Sequence, residues 1–307
     1  MTNAFPINCR SQAGRWRHSV FRRLKTFLSL NVLMLLMALV LNGPALAGDL
    51  SKVVIIKADD FRGTNQSWSN FLEASRAAGV KVSIGVITKS VGENSPVQEW
   101  MRAQEEIGDV EFWNHGWDHK RWSTNDFSIS EFQGSGLANQ RQHLIRSQAA
   151  LKKLLGHDVL ALGTPYNGFD SDTAQAMNES PALRLFFTYT TNPKTEIARQ
   201  RVDAHIALLD IVNEAEGTGK PNAAKLAALL AKRPSGPVSL QFHPPYFDAP
   251  HLEEYRKILA DLKVHGYTTM LPSQYVAALA GTNKMPAQRR YRCSSPTPTR
   301  NEPSRFQ

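Results

Sequence analysis

The sequence predicts an α/β fold in which a parallel sheet, covered by helices, closes into a barrel. Short runs rich in β-branched and aromatic residues alternate with longer helix-like segments over residues 52–280, which is typical of parallel strands joined by helices. About seven such units are present, a number that favours a closed or nearly closed barrel over an open sheet. Reactive polar residues follow several of the strand-like runs, where barrel proteins place their chemistry.

The first elements follow from β-branched runs and helix boundaries. The run KVVIIKA at 52–58 predicts the first strand, because it is β-branched and ends in polar residues. The segment NFLEASRAAG at 70–79 predicts a helix that stops at its glycine. A second strand is predicted at 81–87. The helix predicted at 96–106 has Pro96 in its first turn, where proline is tolerated.

The middle of the chain continues the alternation. The run VEFWN at 110–114 predicts the third strand, and the amphipathic segment 137–156 predicts a long helix closed by its final glycine. Strands are predicted at 159–163 and 183–190, with a short helix between them after Asp170. The remaining predicted elements are strands at 205–212, 237–242 and 267–271, and helices at 223–233, 251–266 and 273–280.

The N-terminal segment has the pattern of a secretory signal. An apolar run of 15 residues from Phe27 to Leu41 follows basic residues, and it is shorter than the roughly 20 residues of a membrane span. The motif Ala-Leu-Ala ends at Ala47. We therefore predict a signal peptide over 1–47 and an exported protein, periplasmic or secreted, with no membrane span after cleavage. An uncleaved N-terminal anchor is the alternative.

The two ends also carry the charge of the chain, which is +9. Residues 1–47 hold six basic and no acidic residues, and residues 286–307 have a net charge of +4, which leaves −1 for residues 48–285. The body, which is the predicted catalytic domain, therefore gives no support for a nucleic-acid partner. The segment 286–307 is rich in Arg, Ser and Pro and is predicted to be a disordered basic tail.

The cysteines, Cys9 and Cys293, both fall in these end segments. The body is therefore predicted to fold without an internal disulfide. Its length of about 240 residues suits a single barrel domain. The sequence leaves the oligomeric state open.

Two adjacent carboxylates, Asp59 and Asp60, follow the first predicted strand. Their charges repel each other, and a bound cation would neutralise one and leave the other available as a base. A solvated strand end is the alternative, and for this pair taken alone it is the more common arrangement.

Two histidines, His115 and His119, follow the third predicted strand. A spacing of four brings both imidazoles to one side if the turn between them is helical. Because residue 116 is glycine, the pattern is not the HExxH motif of zinc proteases. Two ordinary surface histidines are the alternative.

Two further strand ends carry polar residues. The strand at 159–163 leads into Thr164-Pro165-Tyr166, and the strand at 237–242 leads into His243, which two prolines hold in an extended setting. A structural loop histidine is the alternative for His243. The joint appearance of all four motifs at strand ends indicates one site more strongly than any motif alone.

Together these motifs resemble those of the polysaccharide deacetylase family, also called carbohydrate esterase family 4 or the NodB-homology domain. The chain carries ADD at 58–60, HGWDH at 115–119, TPY at 164–166 and LQFH at 240–243. Their order and spacing are similar to those of the family over about residues 52–271. The resemblance implies a distorted (β/α)7 barrel, in agreement with the alternation of strands and helices.

The resemblance also implies roles for these residues. The implied ligands of a divalent metal are Asp60, His115 and His119, with Zn²⁺ as the first expectation and Co²⁺, Ni²⁺, Fe²⁺ or Mn²⁺ as alternatives. The implied general base is Asp59, the implied general acid is His243, and the backbone N–H of Tyr166 would help to form an oxyanion hole. Two imidazoles and one carboxylate leave coordination positions open for water and substrate, and a metal held in this way acts as a Lewis acid.

The sequence departs from the family pattern at two positions. The family usually has an arginine two residues before the proline of the Pro-Tyr turn, where it orients the base carboxylate, and here that position is Gly163. Arg62 or Lys57 is a candidate for the same task, because both lie close to the base in sequence. The residue after the first histidine, usually Ser or Thr, is Gly116.

Other residues near the motifs are candidates for supporting roles. No clear match to the family's Asp-Trp segment is found, and Asp210 and Asp248 are weak candidates to support the acid histidine. Asp118 and Asp170 are candidates to orient a ligand imidazole, although a helix cap is an equal interpretation for Asp170.

Aromatic residues cluster near the motifs, and aromatic rings suit sugar rings. Trp117, Trp122 and Tyr246 are predicted to bind substrate. Trp113, which lies within the third predicted strand, is instead expected to pack in the core.

These observations predict a metal-dependent hydrolase that removes N-acetyl or O-acetyl groups from an envelope or extracellular glycan. Two alternatives remain open at this point: a glycan-binding module that retains the metal with little catalysis, and an amidase or esterase that acts on a non-glycan substrate. The presence of Asp59 and His243 disfavours a pure binder, which needs neither.

Overall fold

The structure is a computed structural model that describes residues 50–92, 95–123, 128–189, 193–213, 219–232 and 235–282. The chain separates into two units, Met1–Leu46 and Ala47–Gln307, and every described residue lies in the second. The predicted signal peptide, its cleavage site and the predicted basic tail lie outside the described residues.

Ten strands are found among the described residues. They are β1 (Val53–Phe61), β2 (Val82–Val86), β3 (Val110–Asn114), β4 (Arg121–Ser123), β5 (Ser128–Ser130), β6 (Ala161–Gly163), β7 (Leu185–Thr188), β8 (Ala207–Asn213), β9 (Val238–Phe242) and β10 (Thr268–Thr269).

Nine α-helices are found in the same part of the chain. They are α1 (Gln66–Ala77), α2 (Thr88–Val91), α3 (Ser95–Ile107), α4 (Leu137–Leu155), α5 (Ser171–Asn178), α6 (Pro193–Arg199), α7 (Ala223–Ala231), α8 (Ala249–Val264) and α9 (Pro272–Thr282).

Seven parallel strands form a closed barrel. They pair in the order β1, β2, β3, β6, β7, β8 and β9, and β9 returns to pair with β1, with Val54 opposite Val238 and Ala58 opposite Phe242. The two-residue strand β10 adds to the start of β1. The predicted (β/α)7 barrel is therefore confirmed. The sequence did not predict the short helices α2 and α6 or the antiparallel pair of β4 and β5.

The strand β1 shows how the core is divided between the inside and the outside of the barrel. Side chains alternate along a strand, and Val53 and Ile55 share one cluster with residues of β3, β6, β7 and β8, including Trp113. Their neighbours Val54 and Ile56 belong to the cluster beneath the surrounding helices. The burial of Trp113 inside the barrel agrees with its expected place in the core.

The N-terminal end of the barrel is closed by α9. Tyr275 of this helix joins the interior cluster, and the carboxylate of Glu111 accepts hydrogen bonds from the backbone N–H and the hydroxyl of Ser273. The opposite end, where the strands finish, is left open for a site. Of the helices in the described ranges, none has both the length and the apolar character needed to cross a membrane.

Candidate metal and catalytic site

An irregularity in β1 turns both carboxylates of the Asp59-Asp60 pair toward the same cavity. In a regular strand two successive side chains point to opposite faces. Here the register of β1 with β2 shifts between Ala58 and Phe61, and Asp60 has the left-handed φ of 68°. Such a bulge re-aims a side chain, and both aspartates line one cavity at the open end of the barrel.

His115 is the first residue after β3, and its ring is fixed by the end of a neighbouring strand. Its Nδ1 lies 2.7 Å from the carbonyl oxygen of Gly163. A carbonyl only accepts, so Nδ1 carries a proton, and in the neutral imidazole that a metal requires the lone pair is on Nε2. This arrangement is typical of metal-binding histidines, whose second nitrogen donates to a carbonyl or a carboxylate.

The turn between the two histidines is not helical, so the condition under which a spacing of four would align their rings is not met. Gly116 has a φ of 82° and His119 has a φ of 56°, and left-handed residues of this kind do not continue an α-helix. The loop nevertheless brings the two imidazoles together, with ring centroids 5.1 Å apart. A left-handed conformation at a non-glycine residue costs on the order of 1–3 kcal/mol and clusters at functional sites.

Asp60, His115 and His119 converge on one point. One ligand atom from each lies within 4.8 Å of the other two. Nε2 of His119 is 3.0 Å and Nε2 of His115 is 3.5 Å from Oδ1 of Asp60. The structure therefore brings together the three residues that the sequence predicted as metal ligands.

The surroundings of these three side chains fit a divalent cation. Oδ1 of Asp60 is buried and has no hydrogen-bond donor of suitable geometry among the described residues, despite the two close imidazoles. The lone pair on Nε2 of His115 faces the same carboxylate, and two acceptors repel each other unless a cation lies between them. Nitrogen and oxygen ligands in this ratio are those of catalytic zinc sites.

The ionisation of Asp60 also suits a ligand. Burial raises the pKa of its carboxyl, but hydrogen bonds from the imidazoles of His115 and His119 and their positive charge, when they are protonated, outweigh that effect and hold the pKa well below its usual range. The carboxylate therefore carries its negative charge at neutral pH, as a metal ligand must.

Asp59 has a different partner from Asp60. The ammonium of Lys57 lies 2.6 Å from Oδ1 of Asp59 and also contacts Oδ2, and both side chains are buried. Of the two candidates for the task of the missing arginine, Lys57 is the one in contact with Asp59. Arg62 instead donates to the hydroxyl of Ser90 and lines the cavity.

Gly163 makes room for this lysine and for the ring of Trp113. A Cβ at position 163 would lie 2.6 Å from Cζ3 of Trp113 and 3.1 Å from Cε of Lys57. Gly85 on β2 faces the same ring, since a Cβ there would lie 2.4 Å from Cη2 of Trp113. The indole ring of Trp113 fills the barrel below the site and leaves no space for an arginine side chain at position 163.

His243 lies after β9 and lines the same cavity as Asp59 and Asp60. Its Nε2 is 3.4 Å from the side-chain nitrogen of Gln241, whose oxygen faces Lys57 at 3.4 Å. An ammonium only donates, so Lys57 fixes which end of the Gln241 amide faces His243. A chain of polar side chains thus connects the predicted base to the predicted acid.

Tyr166 lies in a tight turn beside the two histidines. It has a left-handed φ of 59°, its hydroxyl donates to the carbonyl oxygen of His119 at 3.2 Å, and its ring is 48% exposed. Burial raises the pKa of its phenol, and the charge of Asp60 raises it further. Tyr166 and the 58% exposed Tyr246 both line the cavity, which has a volume of about 590 Å³.

The two tryptophans predicted to bind substrate lie away from this cavity lining. The guanidinium of Arg146 covers the ring of Trp117 at 4.4 Å. Trp122 lies on β4, opposite Ile129 of β5, and its side chain is 43% exposed. Among the residues described around the cavity, Tyr246 is the member of the predicted substrate-binding set that lines it.

The supporting aspartates have structural partners. Asp170 caps α5 through the N–H groups of Asp172 and Thr173, so the helix-cap interpretation fits it. Asp248 caps α8 and pairs with His251, and Asp210 pairs with Arg199. Each of the three aspartates is therefore positioned by a helix cap or an ion pair.

The sequence analysis did not identify Glu131, whose carboxylate hydrogen-bonds to the backbone of the loop that carries the two histidines. This carboxylate is 1% exposed and accepts the backbone N–H groups of Trp117, Asp118 and His119 at 2.5, 3.2 and 2.7 Å. Nδ1 of His143 lies 3.0 Å from it. Glu131, His143 and Asp118 also lie within 4.8 Å of one another, but the oxygens of Glu131 are already occupied by these donors.

The fold and the site define a barrel of the NodB-homology type with a candidate cation centre at its open end. The sequence profile described as polysaccharide deacetylase matches residues 48–182, a range that contains three of the four motifs. Over this range the chain is similar to the polysaccharide deacetylase family, as the motifs had indicated. The fourth motif, at His243, lies beyond the matched range.

Solved structures with a similar fold include members of carbohydrate esterase family 4. A family 4 domain of a multidomain xylanase from the hindgut metagenome of Trinervitermes trinervoides is 17% identical, with a TM-score of 0.53 over 75% of this chain and 91% of that chain. A family 4 acetyl xylan esterase from Clostridium thermocellum, in complex with a cobalt ion, is 16% identical, with a TM-score of 0.52 over 75% and 92%.

The same fold also occurs in a family 4 pseudoenzyme from Bacillus anthracis, which is 14% identical, with a TM-score of 0.51 over 73% of this chain and 65% of that chain. The fold alone therefore does not establish catalysis. No curated protein sequence matches this chain.

Proposed function

We propose that this protein is a metal-dependent hydrolase that removes N-acetyl or O-acetyl groups from a glycan. One observation carries the proposal: Asp60, His115 and His119 converge within 4.8 Å while Asp59, the adjacent carboxylate, lies beside them with a different partner. A site that only bound a cation would not need Asp59, a second carboxylate that is paired with Lys57 beside the three ligands.

Each residue has a distinct task in this reaction. Asp60, His115 and His119 would hold a divalent cation, which when bound supplies Lewis-acid polarisation of the acetyl carbonyl. Asp59 accepts the proton of the attacking water. The backbone N–H of Tyr166 donates to the oxygen on which negative charge develops. His243 donates a proton to the departing sugar nitrogen or oxygen as its bond to the acetyl carbon breaks.

The shape of the cavity supports a sugar polymer as substrate. It is open at the ends of the barrel strands, and the exposed rings of Tyr166 and Tyr246 lie on its wall together with the polar side chains of Arg62 and Asn65. We propose Zn²⁺ as the resident ion, because two imidazoles and a carboxylate are typical ligands for it.

Acetate release from N-acetylated chitooligosaccharides and acetylated xylan, measured with and without a chelator, tests the function. We expect release from at least one of them, loss of it with the chelator, and recovery when Zn²⁺ is returned. Asp59→Asn is expected to lower the rate at least about 100-fold with the metal content unchanged. Bound metal without acetate from either glycan would instead support a glycan-binding module, and release only from non-glycan amides or esters would support the third alternative.

Metal analysis separates the ligand assignment from the activity. The wild-type protein is expected to hold about one equivalent of metal and His115→Ala a small fraction of it, because one of three ligands is removed. His205→Ala, on an exposed turn, is the matched control and is expected to retain the metal. Equal metal contents in all three proteins would contradict the proposed ligands.

We also propose that the protein is exported to the periplasm or secreted. The apolar run at 27–41 and the Ala-Leu-Ala motif ending at Ala47 support this proposal. Sequencing of the N-terminus of protein recovered from the exported fraction is expected to begin at Gly48. Recovery of the protein only from membranes, with residues 27–41 retained, would support an anchor.

A further inference from the structure

Lys57 is a fully buried charge that the proposed reaction does not itself use. It follows Val53 and Ile55 as the third residue of β1 on the side facing the barrel interior, and its side chain has no solvent exposure. Fully buried lysines are rare, because removing an ammonium from water costs several kcal/mol unless the charge is paired. Here Asp59 supplies the pairing charge.

The environment of Lys57 directs its ammonium toward Asp59. The ring of Trp113 lies 4.9 Å away and the ring of Phe187 lies 5.7 Å away, on the apolar side of the group. Both oxygens of Asp59 are in contact with the ammonium, and the amide oxygen of Gln241 lies farther, at 3.4 Å. In such an apolar environment a contact between opposite charges is much stronger than it is in water.

Distance alone does not decide which carboxylate of the pair binds a cation. Oδ1 of Asp60 lies 3.5 Å from Nε2 of His115, and Oδ2 of Asp59 lies 3.7 Å from the same nitrogen. The two carboxylates are therefore almost equally close to a predicted ligand. They differ in their partners, because Lys57 contacts both oxygens of Asp59, whereas Oδ1 of Asp60 has no suitable donor among the described residues.

We propose that Lys57 is a positioning residue that keeps Asp59 out of the coordination shell of the cation. The inference deepens the proposed function and rests on its metal centre. The ammonium neutralises the charge of Asp59 and holds its carboxylate beside the rings of Trp113 and Phe187, so a cation gains less from Asp59 than from Asp60. If both carboxylates joined the two imidazoles, the ion would have four protein ligands, which is the closed arrangement of structural zinc sites, not the open one of catalytic sites.

Lys57→Met tests this proposal in the cobalt-loaded protein. Methionine is similar in length and suits the rings of Trp113 and Phe187, but it leaves Asp59 without its positive partner. We expect Asp59 to join the ion, so that the visible absorption of Co²⁺ changes, the affinity for Co²⁺ in competition with a chelator rises about tenfold, and acetate release falls. Lys152→Met, which makes the same change at an exposed surface lysine paired with Asp158, is expected to match the wild type in all three measurements.

A second substitution identifies the group that moves. In Lys57→Met/Asp59→Asn the additional carboxylate is gone, so the Co²⁺ spectrum and affinity are expected to return to those of Asp59→Asn alone. If Lys57→Met does not fold, Lys57→Gln is used in its place, because its amide nitrogen still donates but carries no charge. An unchanged spectrum, or a lower affinity for Co²⁺, in the folded variant would overturn the proposal.

The spectrum also keeps this inference separate from the proposed function. If the wild-type protein binds Co²⁺ but releases no acetate from any substrate, the proposed hydrolysis fails while the spectra of the Lys57 variants still decide the role of Lys57. If the wild-type protein releases acetate and the Lys57→Met spectrum is unchanged, the proposed hydrolysis stands and the positioning role fails.

Discussion

The buried carboxylate of Glu131 accepts the backbone N–H of His119 at 2.7 Å, so a predicted metal ligand is held through its main chain. The same carboxylate accepts from Trp117 and Asp118. Three N–H groups on one carboxylate fix the path of a loop that has no regular secondary structure between β3 and β4. A carboxylate with several such donors is a strong charge-assisted anchor.

Glu131→Gln is expected to loosen this loop and weaken the cation site. The glutamine amide has one acceptor oxygen, and its NH₂ group would face backbone N–H groups that are also donors. At least one of these backbone N–H groups would therefore lose its hydrogen bond. We expect the free energy of unfolding to fall by about 3 kcal/mol and the affinity for Zn²⁺ to fall about 10- to 100-fold. Denaturant unfolding and chelator competition measure these two quantities.

Glu106→Gln is the matched control, since Glu106 is exposed on α3, and both quantities are expected to stay at their wild-type values. A Glu131→Gln variant with wild-type affinity for Zn²⁺ would show that the loop does not depend on this carboxylate.

Gly116 is required by the same contact. It has a φ of 82°, and a Cβ there would lie 2.8 Å from Oε2 of Glu131. Gly108 has a similar φ of 84°, but no atom lies within 4 Å of the position of its Cβ. Both Gly→Ala changes introduce backbone strain of on the order of 1 kcal/mol, and Gly116→Ala adds the clash with the carboxylate.

We therefore expect Gly116→Ala to lower the free energy of unfolding by at least about 1 kcal/mol more than Gly108→Ala does. Urea unfolding of the two variants measures the difference. Equal losses would mean that Glu131 moves aside without cost and that backbone strain alone selects glycine at position 116.

Much of the fold could be predicted from the sequence, because its elements carry strong local signals. The strand 110–114 is found at its predicted bounds, and the helix predicted at 137–156 is found as Leu137–Leu155, ended by a left-handed glycine. The hairpin of β4 and β5 was missed because the side chains of Arg121–Ser123 are all exposed. Such a strand lacks the alternation of apolar and polar residues that reveals a half-buried one.

The site could be predicted only in part, for a related reason. Residues at strand ends meet because parallel strands finish at one end of the barrel. Position therefore indicated that the aspartate pair and the two histidines share a site, and the resemblance to the family indicated which of them are ligands. Glu131 acts on backbone N–H groups, and no spacing rule marks a lone glutamate that does so. The place of Lys57 was one of two guesses, because only packing against Trp113 and Gly163 decides where its ammonium goes.

Gly163 is expected to tolerate no side chain. A Cβ at this position would lie 2.6 Å from Cζ3 of Trp113, and overpacking of this kind costs about 1–3 kcal/mol. Gly163→Ala should therefore lower the free energy of unfolding by about that amount. It should also lower acetate release, because the displaced ring presses on Lys57.

Gly163→Arg, which supplies the residue usual in the family, is expected to be more damaging than Gly163→Ala, because Lys57 and Trp113 already fill the space. Gly281→Ala is the control for a glycine with free space around it, because Gly281 lies in α9 with no atom within 4 Å of its Cβ position. Alanine at position 281 should leave the free energy of unfolding unchanged or raise it by up to about 1 kcal/mol. Higher activity in Gly163→Arg than in the wild type would show that Lys57 does not replace an arginine.

The pair formed by His157 and Glu105 makes part of the stability depend on pH. Burial lowers the pKa of His157, but the hydrogen bond from its Nε2 to Glu105 at 2.8 Å, together with the charges of Glu105 and Glu111, outweighs burial and raises the pKa. Protonation is thus more favourable in the folded than in the unfolded protein. The contribution to stability is fully present below the unfolded pKa of about 6.5 and is lost as the pH rises through the folded pKa.

His157→Gln should therefore reduce the free energy of unfolding more at about pH 5.5 than at about pH 9. The comparison with the wild type at each pH removes the contributions of the other histidines, because they are common to both proteins. His205→Gln, whose side chain is 86% exposed, should leave the free energy of unfolding unchanged at both values. A loss in His157→Gln that is the same at the two pH values would show that His157 stabilises the fold by packing, because a charged interaction with Glu105 must weaken once the imidazole is neutral.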